Sequence, residues 1–291
     1  MPKAIVIGPN SMLGRRLIER LHDLGWQVIS AGRSSDRLIY LNLGDNFSVF
    51  DDLHISVDII FHCAASFGDD SLSGSWQNEK VNALGCYQIV ALAEAVGCQH
   101  VIFSGTISSD SNESFLQTNS YGSSKRRAED ILSWGLVRSN INFTSLRFGQ
   151  LYDERADCVL HQPWFGRIVS YARDGKWLRM PPAQAMRNFL YIKDAVEVMV
   201  SVAQEQVTGI LTATHPLSET YLSIAKKAYS VFSQGGGVII ASEKHPFHDI
   251  LIPTLSPELS QLGAEFIRIE DGLCEIRDGH YDERFNVFDV E

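Results

Sequence analysis

Apolar residues recur along this chain in two alternating rhythms, and the alternation predicts its architecture. Residues 3–8 form a short apolar run ending in glycine, which reads as a buried strand. Met12, Leu13, Leu17, Ile18, Leu21 and Leu24 then recur at three- and four-residue spacing, the pattern of a helix with one buried face. Gly25 closes that helix, and residues 26–31 read as the next strand, completing a β–α–β unit. The rhythm continues with strands expected at 38–41, 58–64, 101–104 and 143–147, and helices at 76–96 and 123–137. Strands that are apolar throughout and alternate with helices predict a parallel sheet covered on both faces, joined by right-handed crossovers. The expectation is an α/β chain with a Rossmann-type doubly wound sheet.

After residue 150 the pattern loosens. A helix ends at 170–174, Pro181-Pro182 breaks the chain, and helices at 194–204 and 221–232 alternate with strands at 209–213 and 238–241. The reading is a dinucleotide-binding domain over 1–150, with 186–206 returning to it. Residues 151–185 and 207–291 would form a smaller C-terminal substrate-binding lobe.

Composition narrows the classes of function. The net charge of −10 excludes nucleic acid and anionic membrane as main partners, because phosphate surfaces select clustered Lys and Arg. The longest apolar candidate for a membrane span, Val81 to Ala93, is interrupted by Asn82 and Gln88. The N-terminal apolar run is too short for a secretory leader. Cys63, Cys86, Cys98, Cys158 and Cys274 are odd in number and lack paired metal-ligand spacing, so reduced, mostly buried thiols in a cytoplasmic protein are expected, with no metal. His62 and Cys63 fall in a buried strand and read as core, and His245 and His248 read as loop residues.

Two segments carry chemistry. Gly8-Pro9-Asn10-Ser11-Met12-Leu13-Gly14 links the first strand to the first helix. There Gly8 permits a tight turn, the helix start offers N–H groups to a pyrophosphate, and Gly14 lets the helix pack closely. The second strand ends in Ala31-Gly32-Arg33-Ser34-Ser35. An acid here bonds the ribose 2′-OH of NAD, whereas Arg33 would pair with a 2′-phosphate, favouring NADP(H) over NAD(H). The second segment is Tyr121-Gly122-Ser123-Ser124-Lys125, which puts a phenol and an ammonium on one helical face. The ammonium is expected to lower the phenol's pKa, making Tyr121 a general acid/base and Lys125 its electrostatic partner. Thr106, after the fifth strand, is the candidate for a hydrogen bond to the substrate oxygen.

With these segments in place the chain resembles the NAD-dependent epimerase/dehydratase family of extended short-chain dehydrogenases. The likeness extends through Phe61-His62-Cys63-Ala64-Ala65, Val81-Asn82, Phe103-Ser104-Gly105-Thr106, residues 121–125 and Leu146-Arg147-Phe148-Gly149-Gln150-Leu151-Tyr152. It resumes at Arg187-Asn188-Phe189-Leu190-Tyr191-Ile192-Lys193-Asp194-Ala195, at residues 259–263 and at Glu270-Asp271-Gly272-Leu273. The resemblance implies that Asn42 and Leu43 lie beside the adenine and that Ala64, Ala65 and Asn82 line the cofactor path. It places Phe148 near the nicotinamide. It gives Gln150 and Arg187 to a nucleotide-sugar substrate, Arg187 at the diphosphate, and makes a homodimer a candidate assembly. Ser11, Asn42 and Asp153 depart from the family pattern. The leading function is an NADPH-dependent reductase of a nucleotide-activated 4-keto sugar. The alternatives are a nucleotide-sugar epimerase with tightly bound NAD and a non-catalytic NAD(P)-binding regulator.

Overall fold

A computed structural model describes residues 1–34, 38–50, 52–110, 119–263 and 265–285. In chain order, β1 (Lys3–Ile7), α1 (Met12–Asp23), β2 (Gln27–Gly32), β3 (Ile39–Tyr40) and β4 (Ile59–His62) come first. Then α2 (Leu72–Asn78) runs through a π-helical turn (Glu79–Leu84) to α3 (Cys86–Ala95), followed by β5 (His100–Thr106), α4 (Ser120–Arg138) and β6 (Asn142–Phe148). The remainder is β7 (Gln150–Tyr152), α5 (Pro163–Arg173), β8 (Trp177–Met180), β9 (Met186–Arg187), β10 (Phe189–Tyr191) and α6 (Ile192–Gln204). It continues with β11 (Gly209–Ala213), β12 (Glu219–Thr220), α7 (Tyr221–Phe232), β13 (Gly237–Ile240), α8 (Pro257–Gln261) and α9 (Ile269–Asp278). No helix among the described residues is long and apolar enough to cross a membrane.

The chain divides into two compact units. The first comprises the described residues of Met1–Phe148 with Val196–Ala213 and Ser256–Gly263. It is built on a seven-stranded parallel sheet of order β11-β6-β5-β4-β1-β2-β3. Strands with apolar residues on both faces need cover on both, and they have it. Leu17 and Leu21 of α1 are fully buried, and Ile89 and Leu92 of α3 with Ala128, Leu132 and Leu136 of α4 join Ile5, Ile60, Val101 and Phe103 in one core. Strand order reverses direction of growth between β1 and β4, and their C-terminal ends open a crevice there, the place where such sheets bind ligands.

The expected helix at 76–96 begins earlier, with Ser71 as its N-cap, and contains the π-helical turn. Its signature is a bond from the Gly85 N–H to the Lys80 carbonyl, 3.1 Å. A side chain on Gly85 would meet the Val81 carbonyl at 2.5 Å and Leu43 at 2.7 Å, so glycine here lets the widened helix pass close to the preceding chain.

The second unit holds Gly149–Ala195, Thr214–Leu255 and the described residues of Ala264–Glu291. It has three two-stranded ribbons, β10-β7, β12-β9 and β13-β8, and an aromatic cluster in which Tyr152 lies 5.1 Å from Phe165 and 5.0 Å from Tyr191. Gly272 leaves room for the Tyr152 phenol, which comes within 2.2 Å of where a Cβ would stand. The division differs from the sequence expectation in three places. Residues 209–213 pair with β6 as the outer strand of the large sheet, 256–263 join the first unit, and 186–195 belong to the second. Parallel pairing with β6 is a long-range contact that local pattern does not encode.

Candidate active site

The turn after β1 is built for close approach. Gly8 has φ +81°, and a Cβ there would lie 2.7 Å from the Ala64 backbone nitrogen, so geometry and space both require glycine. Ser11, in the family's middle-glycine place, has ordinary extended angles and caps α1. Its Oγ accepts from the Gly14 N–H (2.9 Å) and donates to the Gly8 carbonyl (2.8 Å). Gly14 is needed because a Cβ would stand 2.2 Å from the Gly8 carbonyl oxygen, a contact with the turn itself and not with the sheet. The N–H groups of Met12 and Leu13 make no hydrogen bond among the described residues. Two unfilled donors at the positive end of a helix, beside a turn that Gly8 opens, fit a pyrophosphate. Asn10 is exposed, whereas Leu13 is buried under α1.

At the end of β2, Arg33 is exposed and makes no ion pair or hydrogen bond among the described residues. Ser34 beside it is exposed, and Ser35 lies outside the described residues. Gly32 packs against Pro9 of the glycine turn, with 3.5 Å between its would-be Cβ and the proline ring, so Arg33 stands next to that turn. Asn42 spends its carboxamide on its own turn, donating to Asp45 (2.7 Å) and accepting from the Gly44 N–H (3.2 Å). Leu43 belongs to the core.

The proposed catalytic residues come together through α4. Asn119 caps the helix by accepting the Gly122 N–H (2.7 Å), so Tyr121 lies in the first turn and Lys125 one turn on. Gly122 permits the contact that matters. A Cβ there would lie 2.3 Å from the Ser108 carbonyl, so the start of α4 presses directly on the 3-10 turn (Ile107–Ser109) that Thr106 begins. The Thr106 Oγ accepts from the Ser108 N–H (3.3 Å), which leaves its hydroxyl proton to give elsewhere. Phe148 stands opposite Thr106 in the β5–β6 register. No described residue hydrogen-bonds the Tyr121 hydroxyl or the Lys125 ammonium.

Lys125 is only 1% exposed, and burial lowers its pKa from 10.5 to about 8. Its Nζ lies 4.0 Å over the Phe103 ring. His62 is buried beside the same ring, and burial together with the Lys125 charge holds its imidazole neutral. The Cys63 and Cys86 thiols are pushed up to about 12 by burial, which makes them inert. The Tyr121 phenol is raised above its ordinary value by burial. This departs from the expectation that the neighbouring ammonium lowers it: burial is what sets the direction of the shift.

Sequence reasoning missed the support beneath Lys125. Glu129, one further turn along α4, is fully buried and takes both Nε (3.0 Å) and Nη2 (2.6 Å) of Arg147 and the Ser145 hydroxyl (2.7 Å). Gly105 makes space for this pair, since a Cβ would stand 2.5 Å from Ser145 Oγ. The helical spacing from Lys125 to Glu129 was a usable signal; the partner on β6 was not. Asn82 is also spent on structure. Its amide holds Ser66 and Ser124 (2.7–3.0 Å), and Ala64 and Ala65 begin the segment so held.

The second unit keeps its own polar sites. Gln150 donates to Gln162 (2.8 Å), and its Oε1 is buried without a partner. Arg187 is 7% exposed. Its Nη1 donates to the Met186 carbonyl (2.7 Å) and its Nη2 to that of His248 (2.8 Å), with Tyr221 and Phe247 over the guanidinium. Asp153, where the family pattern has glycine, accepts the N–H groups of Arg155, Asp157 and Cys158 and staples that loop.

Comparison with known proteins identifies the family and the fold. The NAD dependent epimerase/dehydratase family profile matches residues 4–211. No curated protein matches the chain. Among solved structures, a UDP-N-acetylglucosamine 4-epimerase from Bacillus cereus is 19% identical, covering 100% of this chain and 99% of its own, with TM-score 0.73. RMD from Pseudomonas aeruginosa, complexed with NADPH, is 13% identical over 98% and 100%, TM-score 0.78. A UDP-N-acetylglucosamine 4-epimerase from Methanobrevibacter ruminantium, in complex with UDP-N-acetylmuramic acid, is 16% identical over 97% and 99%, TM-score 0.76. The chain therefore belongs to the NAD-dependent epimerase/dehydratase family and is an enzyme of the extended short-chain dehydrogenase type.

Proposed function

We propose that the chain is an NADPH-dependent reductase of a nucleotide-activated 4-keto sugar. The observation that carries this reading is Arg33, a cation with no ion pair among the described residues, beside the glycine turn where an NAD-selective site would hold an acid. A guanidinium there rewards a 2′-phosphate through charge-assisted hydrogen bonds. The pyrophosphate would be held by the Met12 and Leu13 N–H groups over Gly8, and the chemistry supplied by a bound, reduced nicotinamide is hydride delivery to the carbonyl carbon.

Tyr121 enters protonated, because burial holds its phenol above the ordinary value. The first proton it handles is therefore one it gives, to the carbonyl oxygen as negative charge builds there. Thr106 donates a second hydrogen bond to that oxygen. Lys125, charged at neutral pH with a pKa of about 8, then faces a phenolate it stabilises. The substrate's diphosphate would fall to the Arg187 N–H groups that Met186 and His248 do not use, and its sugar to Gln150.

The epimerase reading draws on two solved neighbours that are 4-epimerases. It needs a base at the outset and a cofactor that stays bound. The two readings separate on purified protein supplied with NADPH or NADH and a UDP- or dTDP-linked 4-keto sugar. Consumption of NADPH is expected, and Arg33→Ala should weaken NADPH at least ten-fold more than NADH. Tightly bound NAD that never exchanges would overturn the reductase reading.

A further inference from the structure

The segment between β4 and α2 is a loop by secondary structure, yet it is pinned like part of the sheet. Ser66 exchanges two hydrogen bonds with the Asn82 amide (2.7 and 2.9 Å), and Gly68 exchanges two with the Asn78 amide (2.7 and 2.9 Å). The two asparagines are four apart on a helical stretch, and the two backbone residues are two apart. This is the spacing at which an extended chain offers N–H and C=O on the same edge. Each amide also donates to α4, Asn78 to Ser120 (2.9 Å) and Asn82 to Ser124 (3.0 Å). Ser120 in turn bonds Asp69 and Asp70, with its hydroxyl on the Asp69 carbonyl (3.2 Å) and its N–H on the Asp70 carboxylate (2.7 Å). Both asparagines are at most 2% exposed, and every amide hydrogen is used.

This much buried polar structure serves one visible purpose. The residue between the two clasped ones is Phe67, whose ring lies flat on Tyr121, centroids 4.7 Å apart and planes 19° from parallel. Phe67 itself is 54% exposed. We infer that Phe67 is a positioning residue: it fixes the Tyr121 ring in one orientation and keeps water from one of its faces, and Asn78 and Asn82 hold it there. The inference rests on Tyr121 being the general acid. An offset-stacked ring restricts rotation about the tyrosine side chain and contributes to the burial that keeps its phenol protonated. A proton donor that must meet an oxygen within hydrogen-bond reach gains from both.

The test uses full-length protein carrying tyrosine labelled with carbon-13 at Cζ, with the Tyr121 resonance identified as the one lost in Tyr121→Phe. In Phe67→Ala the ionisation of Tyr121 is expected to move to lower pH by about one unit or more as water reaches the ring. With NADPH and a UDP-linked 4-keto hexose, kcat should fall about ten-fold or more, with NADPH affinity changed less than about two-fold. Phe67→Tyr, which keeps the stack, should restore both. An unmoved Tyr121 ionisation in Phe67→Ala, or an undiminished kcat, overturns the inference. Full turnover in Tyr121→Phe instead removes the catalytic reading, whatever Phe67 does, and the resonance measurement needs no substrate.

Discussion

Lys125 places an ammonium where a fold ordinarily keeps a methyl group, and that has an energetic sign. Its pKa falls from 10.5 in the open chain to about 8 in the fold, so between those limits the unfolded state binds more protons. Unfolding free energy therefore rises with pH across that window, and the full penalty, roughly 3 kcal/mol, is felt below pH 8. Lys125→Met should abolish turnover yet stabilise the protein at pH 7 by up to roughly 3 kcal/mol in denaturant titrations. The advantage should shrink as pH climbs from 8 towards 10.5. An advantage of the same size at both ends would assign it to packing and not to charge. Tyr121 carries the complementary lesson. The YxxxK spacing located the pair in the sequence, but the sign of the phenol's shift depends on burial, which spacing does not report.

At the scale of elements, α4 is the hub of the site and its junction with β6 is ionic. Among the described residues, fully buried Glu129 is hydrogen-bonded by Arg147 and Ser145. Removing either charge leaves the other without its hydrogen-bonded ion partner. Arg147→Ala is expected to cost about 3–5 kcal/mol, and Glu129→Gln combined with Arg147→Met markedly less than the sum of the single changes. Additive losses in denaturant unfolding would mean the two side chains act separately. Elements with strong periodicity were legible in the sequence: β1, α1, β2 and the parallel sheet follow from apolar spacing and one glycine. What escaped were features made by contact between distant segments. The π-helical turn depends on Gly85 meeting Leu43, the clasp on Asn78 meeting Gly68, and the stack on Phe67 meeting Tyr121, and none leaves a period or a motif. The family resemblance points Asn82 at the cofactor path, because its place in the motif is visible in the sequence and its partners Ser66 and Ser124 are not. The departures at Ser11, Asn42 and Asp153 likewise make sense only as caps and turns, once the backbone they serve is seen.

Across the whole molecule, the two units are not consecutive in sequence. The chain passes from one to the other after Phe148, Ala195, Ala213, Leu255 and Gly263. The outer strand of the large sheet, β11, is thus made some sixty residues after its partner β6, and in between the chain has built four of the six ribbon strands of the other unit. Truncation near residue 150 therefore yields something other than a small, self-sufficient nucleotide-binding module. Such a fragment would present β6 with a bare row of peptide groups, the template on which chains add to one another. Expressed alone, residues 1–150 should self-associate in size-exclusion chromatography, and supplying 151–291 as a separate chain should rescue a one-to-one complex. A well-behaved monomeric fragment would mean that the sheet tolerates its open border. If the border is intolerable, the last third of the gene product is as much a part of the cofactor platform as the first, and no single cut separates the reagent's seat from the rest.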